Sequence, residues 1–192
     1  MAKFLSYASY VLTVLFCLTG QQVAAQTENT YTSGNTIFLT IEGTKRLFDF
    51  SSNKLLVNYN KETQKLECVL DVSSLLPLTD NVPPEMAYEI LYGAKFPNLY
   101  FEIDLPAAQV KSQDTFLKAI PRVSNINLQG VLSETVIPLV IAPDQQALVF
   151  STNFDLLLQN FQVNLPVKYV PLLTGRLLFT IRNARWTDLT VR

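Results

Sequence analysis

Histidine is absent from this chain of 192 residues, and only two cysteines are present. Without histidine there is no Ser-His-Asp or Cys-His nucleophile system, no histidine metal site and no ordinary proton shuttle near neutral pH. The six glycines are isolated and none forms a GxG, so a phosphate-cradling loop is not indicated. The residue types that are missing argue against hydrolase and nucleotide chemistry.

Charge is also scarce, because charged residues make up 16% of the chain against about 25% in average proteins. The 15 basic and 16 acidic residues give a formal charge of −1, which offers no basic surface for nucleic acid. Hydrophobic residues reach 48%. The fold must therefore bury apolar surface efficiently or use it to bind something apolar.

Residues 1–25 have the features of a secretory signal peptide. Lys3 supplies the positive start, a mainly apolar run follows, and small residues at 23–25 precede a predicted cut before Gln26. The apolar run is shorter than the ~20 residues that a membrane-spanning helix needs. We therefore predict a periplasmic or secreted protein in which Cys68 is the sole cysteine, so that no intramolecular disulfide can form.

Residues 26–34 are mostly small and polar and are interpreted as a flexible segment that precedes the domain. Beyond this lead-in, alternation of apolar and polar residues is the dominant pattern. It predicts about eight half-buried strands within 35–192, and one short helix that has proline in its first turn and ends near Gly93. Pro138 falls inside a predicted strand and indicates an edge or a bulge. We predict a single all-β domain with one or two short helices, arranged as an antiparallel up-and-down, lipocalin-like eight-stranded β-barrel.

Few residues are candidates for catalysis. Glu85 and Glu89 lie one helical turn apart and could form a carboxylate pair, although a solvated helix face is the simpler interpretation. Cys68 lies on the apolar side of its strand and is expected to be a buried packing residue rather than a nucleophile. Isolated carboxylates on alternating strand faces do not suggest a metal site. We expect no enzymatic activity, no cofactor and no bound metal.

Aromatic residues fall on the predicted inward side of several strands, and two outcomes remain open. Eight strands allow either a barrel filled by its own side chains or a barrel that encloses a ligand. The alternation pattern is the same in both cases. The first outcome predicts a structural or interaction module, and the second predicts a carrier.

The order of motifs resembles the YceI-like, polyisoprenoid-binding protein family. In the stretch from Leu66 to Ile103 a strand ends in a serine-containing turn, a short helix and a small loop follow, and Phe96-Pro97 leads into a strand with Phe101. Downstream, INLQGVLSETVIPLVI is similar to the family's strand with a central glycine, here Gly130, and TGRLLFTIRNARW is similar to its last strand. The family's second glycine has no counterpart between Val131 and Val140, and its frequent helix histidine is absent.

The resemblance implies a barrel whose apolar interior holds an isoprenoid, an isoprenoid quinone or a fatty-acid-like ligand, with transient membrane contact possible and with a monomer or homodimer as the assembly. Pockets for such ligands combine apolar walls with a few polar groups. The predicted wall residues are Leu39, Ile41, Val57, Leu70, Phe101, Ile103, Leu128, Phe150, Phe154 and Phe179. The predicted polar tips are Tyr59, Tyr88, Tyr92, Asn125 and Thr152.

Overall fold

The computed structural model describes residues 31–111, 116–144, 147–161, 163 and 165–186. The predicted signal peptide and residues 26–30 of the lead-in lie outside this part. The strands within it are β1 (Thr32–Gly43), β2 (Leu47–Asn60), β3 (Lys65–Asp71), β4 (Leu76–Pro77), β5 (Asn98–Asp104), β6 (Phe116–Leu128), β7 (Val131–Asp144), β8 (Ala147–Leu157) and β9 (Leu173–Trp186). The α-helices are α1 (Met86–Ile90) and α2 (Ala107–Lys111), and short helical turns occur at Val72–Ser74, Leu158–Phe161 and Val170–Leu172.

Eight of these strands form a closed antiparallel barrel. Each strand pairs with the next one along the chain, with β3 followed directly by β5, and β9 pairs with β1 to close the ring. The two-residue strand β4 adds to the first half of β2. The predicted up-and-down barrel is confirmed. Its first strand begins at Thr32, which pairs with Val57, so the ordered barrel starts three residues before the predicted boundary at Asn35.

The two ends of the barrel differ in the elements that they present. The α1 end holds α1, the β1–β2 turn, the β6–β7 turn and the helical turn at Val170–Leu172. The α2 end holds α2, the β2–β3 turn, the start of β1 and the end of β9. Neither α-helix has the length or apolar character needed to span a bilayer, and no other helix in the described part of the chain does.

Pro138, which was predicted to lie at an edge or a bulge, lies where the hydrogen-bonded pairing between β7 and β8 ends. Pro138 lies opposite Pro121 of β6, where neither residue can donate a hydrogen bond. On its other side, the pairing of β7 with β8 begins at Leu139 and runs only to Asp144. Residues 131–138 of β7 and 153–157 of β8 are therefore not paired with each other in the described structure, and we call this unpaired stretch the β7–β8 split. Pro138 is thus on an edge locally, although β7 as a whole is an internal strand of the barrel.

Candidate functional site

The barrel interior is lined by apolar side chains from all eight strands. Nine of the ten predicted wall residues are at most 1% exposed, and Phe154 is partly exposed. Their inward direction follows from the register, in which Leu39 of β1 faces Phe50 on one side and Phe179 on the other. The interior is therefore mainly apolar. Whether these walls contact a ligand stays a prediction.

Three phenylalanine rings bridge the interior. The Phe154 ring stacks on that of Phe179 with 5.4 Å between centroids, and meets that of Phe101 edge-on at 5.9 Å. Phe101 belongs to β5 and Phe179 to β9, which stand opposite each other in an eight-stranded ring. We call these three rings the aromatic bridge. Protein atoms thus occupy the axis of the barrel at this level.

The β7–β8 split is next to the aromatic bridge. Phe154 lies on the β8 side of the split and keeps accessible surface although Phe101 and Phe179 are buried. On the β7 side, Ser133 and Thr135 face inward, because they pair with the buried Ile126 and Ser124, and both are partly exposed. The inner side chains are thus only partly exposed at this point in the wall, where the helical turn Leu158–Phe161 contributes the buried Leu158 and Phe161.

The predicted polar tips do not converge on one place. Tyr59 and Thr152 are buried in the interior, and their hydroxyls donate to backbone carbonyl oxygens of Leu105 at 3.0 Å and Pro138 at 2.6 Å. The other three lie on the outside of the barrel. Asn125 is on the outer face of β6 opposite Glu102 and Glu134, and Tyr88 and Tyr92 are exposed at the α1 end.

Arg122 and Trp186 are two of the inward residues with polar groups that the sequence reasoning missed. Arg122 of β6 lies opposite the buried Ile137, so its side chain starts on the inner face, and its guanidinium donates to the side-chain oxygen of Gln109 in α2. Ser124, Ile126 and Leu128 are buried at every second position of β6. Extending the same alternation two residues toward the start of the strand places Arg122 on the inner face.

The second missed residue, Trp186, could not be found by extending a pattern. Along β9 the buried positions are Leu177, Phe179 and Ile181, all of odd number, but the next buried positions are Ala184 and Trp186. A bulge at Asn183, whose φ is +50°, shifts the alternation by one residue. Simple alternation therefore assigns Trp186 to the wrong face.

Of the candidate catalytic residues, Glu89 and Cys68 have structural roles, whereas Glu85 is exposed. The Glu89 carboxylate accepts from Lys168 Nζ at 2.9 Å and from the Tyr169 hydroxyl at 2.7 Å, which ties α1 to the loop before β9. These hydrogen bonds lower the pKa of Glu89. The pKa of Tyr169 is raised to about 12, mainly because the hydroxyl is partly buried and secondly because it donates to Glu89. Burial raises the pKa of the Cys68 thiol, and so disfavours the thiolate that a nucleophile needs. The described residues hold no cluster of three or more potential metal ligands.

Solved structures with this architecture exist in bacteria. A polyisoprenoid-binding domain from Saccharophagus degradans, implicated in plant cell wall breakdown, superimposes with a TM-score of 0.63 at 10% identity, over 79% of this chain and 93% of that domain. The chain shares the fold of that domain. BcnA of Burkholderia cenocepacia has a TM-score of 0.56 at 12% identity, over 76% of this chain and 93% of BcnA. A YceI protein of Campylobacter jejuni has a TM-score of 0.49 at 9% identity, over 88% and 95% of the two chains.

The likenesses to the polyisoprenoid-binding domain and to BcnA confirm the fold that the resemblance implied. The sequence itself matches no protein-family model and no curated protein sequence. Because only about a tenth of the positions are identical, a shared fold does not imply a shared ligand. The ligand of this protein has to be argued from the residues of its own interior.

Proposed function

We propose that the protein is a non-catalytic carrier that holds a long-chain amphiphile, such as an isoprenoid, an isoprenoid quinone or a fatty-acid-like molecule, inside its barrel. The observation that supports this most directly is the mainly apolar lining of a closed barrel in the fold of a domain named for polyisoprenoid binding. The β7–β8 split, where the two strands are not paired with each other, supports entry of such a chain through the wall without unfolding of the barrel.

The energetics favour reversible transfer rather than permanent capture. Burying hydrocarbon is worth about 0.8 kcal/mol per CH₂ relative to water. A membrane offers the same amphiphile most of this gain. The protein therefore competes through shape and a few polar contacts, which is what a shuttle between membrane and carrier requires.

Ligand extraction tests the proposal directly. The mature protein is purified from cells without detergent, extracted with organic solvent and analysed by mass spectrometry beside a buffer blank. We expect a bound amphiphile at a substantial molar ratio, because an apolar interior retains such a molecule through an aqueous purification. A clean extract, together with no binding of added isoprenoid quinone or fatty acid, would count decisively against the carrier.

A structural or interaction module with a self-filled interior is the second candidate, and the aromatic bridge favours it. A continuous contact from Phe101 through Phe154 to Phe179 is what a barrel packed by its own side chains contains. A crystal structure separates the two functions. An interior without any cavity above about 300 Å³ supports the module, whereas a larger one with chain-like density supports the carrier.

We propose further that the protein acts outside the cytoplasm after residues 1–25 are removed. Lys3, the apolar run after it and the small residues before Gln26 support this. Amino-terminal sequencing of protein recovered from the periplasm or medium is expected to start at Gln26. Recovery of the uncleaved chain in the cytoplasm would contradict it.

Transient contact with a bilayer fits the apolar character of the α1 end. Leu76 and Val167 are 64% and 87% exposed there. The other exposed aliphatic residues at this end include Leu47, Leu78, Val131, Leu132, Leu157, Val170 and Leu172. We expect Val167→Glu to reduce co-sedimentation with liposomes, since a carboxylate at the surface opposes insertion of this loop. Unchanged co-sedimentation would exclude this surface as the site of membrane contact.

For the assembly we propose a monomer or a homodimer, which analytical ultracentrifugation distinguishes.

A further inference from the structure

Trp186, the sole tryptophan of the chain, is 1% exposed, and its indole nitrogen is a buried donor without an acceptor among the described residues. The indole N–H can only donate. An unpaired buried donor costs on the order of 1–3 kcal/mol, and nearly all buried polar groups in folded proteins are paired. Such a group in the interior of a barrel calls for an acceptor, and no described residue supplies one.

The position of this indole is specified by its neighbours. The Asn35 side chain accepts from the Arg185 backbone N–H at 2.7 Å and donates to the Arg185 carbonyl at 3.0 Å, so one amide takes the place of a strand partner. The N–H of Asn183 in the bulge donates to the Ser151 hydroxyl at 2.9 Å. Together these bonds hold the end of β9 in the shifted phase that turns Trp186 inward.

The surroundings of Trp186 are apolar. Its ring packs against that of Phe150 with 6.0 Å between centroids, and Leu148, its partner on β8, is partly exposed and packs against the core. The guanidinium of Arg122 also reaches this end of the barrel, through Gln109 of α2. Both polar groups are hydrogen-bond donors. This end of the interior therefore suits a molecule that brings an acceptor oxygen on an apolar chain.

We propose that the indole N–H of Trp186 binds the oxygen at the polar end of the amphiphile, with the apolar chain directed toward the aromatic bridge. This inference rests on the proposed carrier function. It further specifies that the polar end of the ligand binds at the α2 end of the barrel. A ketone, an ester and a carboxylate all supply such an oxygen.

The test uses farnesylacetone, an isoprenoid ketone, and the matched hydrocarbon in which its carbonyl is replaced by a methylene. Because the chain has one tryptophan, a ¹⁵N-labelled sample has a single indole N–H resonance that reports on this group alone. We expect the ketone to move this resonance downfield and to slow its exchange with water, and the bound hydrocarbon to leave it without the hydrogen-bond shift. Palmitate, tested in the same way, separates an anionic from a neutral acceptor.

Trp186→Phe provides the second measurement, because phenylalanine keeps an aromatic ring and removes only the donor and part of the volume. Wild-type protein is expected to prefer the ketone over the hydrocarbon, and the variant to lose about five- to tenfold of that preference. Circular dichroism checks that the variant is folded. The NMR measurement needs no variant and decides the matter if the variant does not fold.

The outcomes separate this inference from the carrier function. Binding of both ligands with no shift of the indole resonance, or an unchanged preference in folded Trp186→Phe, overturns the role of Trp186 and leaves the carrier intact. Failure of the wild-type protein to bind either ligand or palmitate counts against the carrier itself, and the inference falls with it.

Discussion

Gly130, which the resemblance placed within a strand, lies in the turn between β6 and β7. Its φ is +81°, and a Cβ at this position would lie 2.8 Å from the Phe96 ring. We expect Gly130→Ala to destabilise the protein by about 2–5 kcal/mol, since backbone strain of roughly 1–2 kcal/mol adds to overpacking of roughly 1–3 kcal/mol. Thermal or urea unfolding measures the change.

Gly175 provides the matched control for this substitution. Its φ is +88°, but a Cβ there would meet no atom within 4 Å. Gly175→Ala should therefore show the backbone cost alone, about 1–2 kcal/mol. Equal losses in the two variants would show that the contact between residue 130 and Phe96 adds nothing.

Cys68 is expected to be inert in the folded protein. It is fully buried on β3, and this burial raises the pKa of its thiol, so both access and thiolate formation are suppressed. Titration of the mature protein with a chromogenic disulfide reagent should label no thiol under native conditions and one in denaturant. Rapid native labelling would mean that β3 opens locally or that the thiol lies in an accessible part of the interior.

At the scale of elements, the link between α1 and the loop before β9 should depend on pH. Hydrogen bonds from Lys168 and Tyr169 lower the pKa of Glu89 in the folded state. A carboxyl whose folded pKa is depressed stabilises the fold above its unfolded pKa and loses that contribution as the pH falls through the folded pKa. Glu89→Gln is expected to lower the melting temperature at pH 7, with the difference shrinking below about pH 4.

Glu85→Gln serves as the control for the Glu89 substitution. Glu85 is exposed on the same side of α1, where the simpler sequence interpretation placed both carboxylates. Its replacement should leave the melting temperature nearly unchanged at both pH values. A constant difference between wild type and Glu89→Gln from pH 7 to pH 3 would contradict the proposed link.

The β7–β8 split makes a prediction about backbone protection. Residues 131–138 pair with β6 only, and residues 153–157 pair with β9 only. Amides that point into the split have no strand partner there, so hydrogen exchange should be faster for them than for amides in the β1–β9 ladder. Residue-resolved exchange by NMR measures this. Uniform protection along β7 and β8 would show that the split is closed in solution.

The barrel could be predicted from sequence because its strands keep a strict period of two, as from Leu66 to Leu70 and from Leu99 to Ile103. Such a pattern specifies which face is buried. It does not specify where a ladder stops, so the split next to Pro138 became visible only in the register. It also fails across a bulge, which is why Trp186 was not recognised.

The polar site was harder to predict than its walls for a related reason. A buried hydroxyl such as Tyr59 or Thr152 can be satisfied by a backbone carbonyl, and only coordinates reveal that partner. Tyr88 and Tyr92 lie on and after a five-residue helix whose tilt no periodicity determines. Apolar walls follow from alternation along one strand, whereas convergence of polar groups depends on how several elements meet.

The whole molecule should be stabilised by its ligand. Binding to the folded state alone adds about 2.7 kcal/mol at a free ligand concentration one hundred times the dissociation constant. For a domain of this size that corresponds to a rise in melting temperature on the order of 5–10 °C. We expect this rise with an isoprenoid quinone and none with the same quinone ring lacking its isoprenoid tail, because the barrel lining is apolar and the tail supplies most of the buried surface. Equal shifts from the two compounds would show that the binding energy comes from the ring and would exclude the interior as the site. No shift from either compound, at concentrations that saturate known carriers, would favour a barrel filled by its own aromatic bridge.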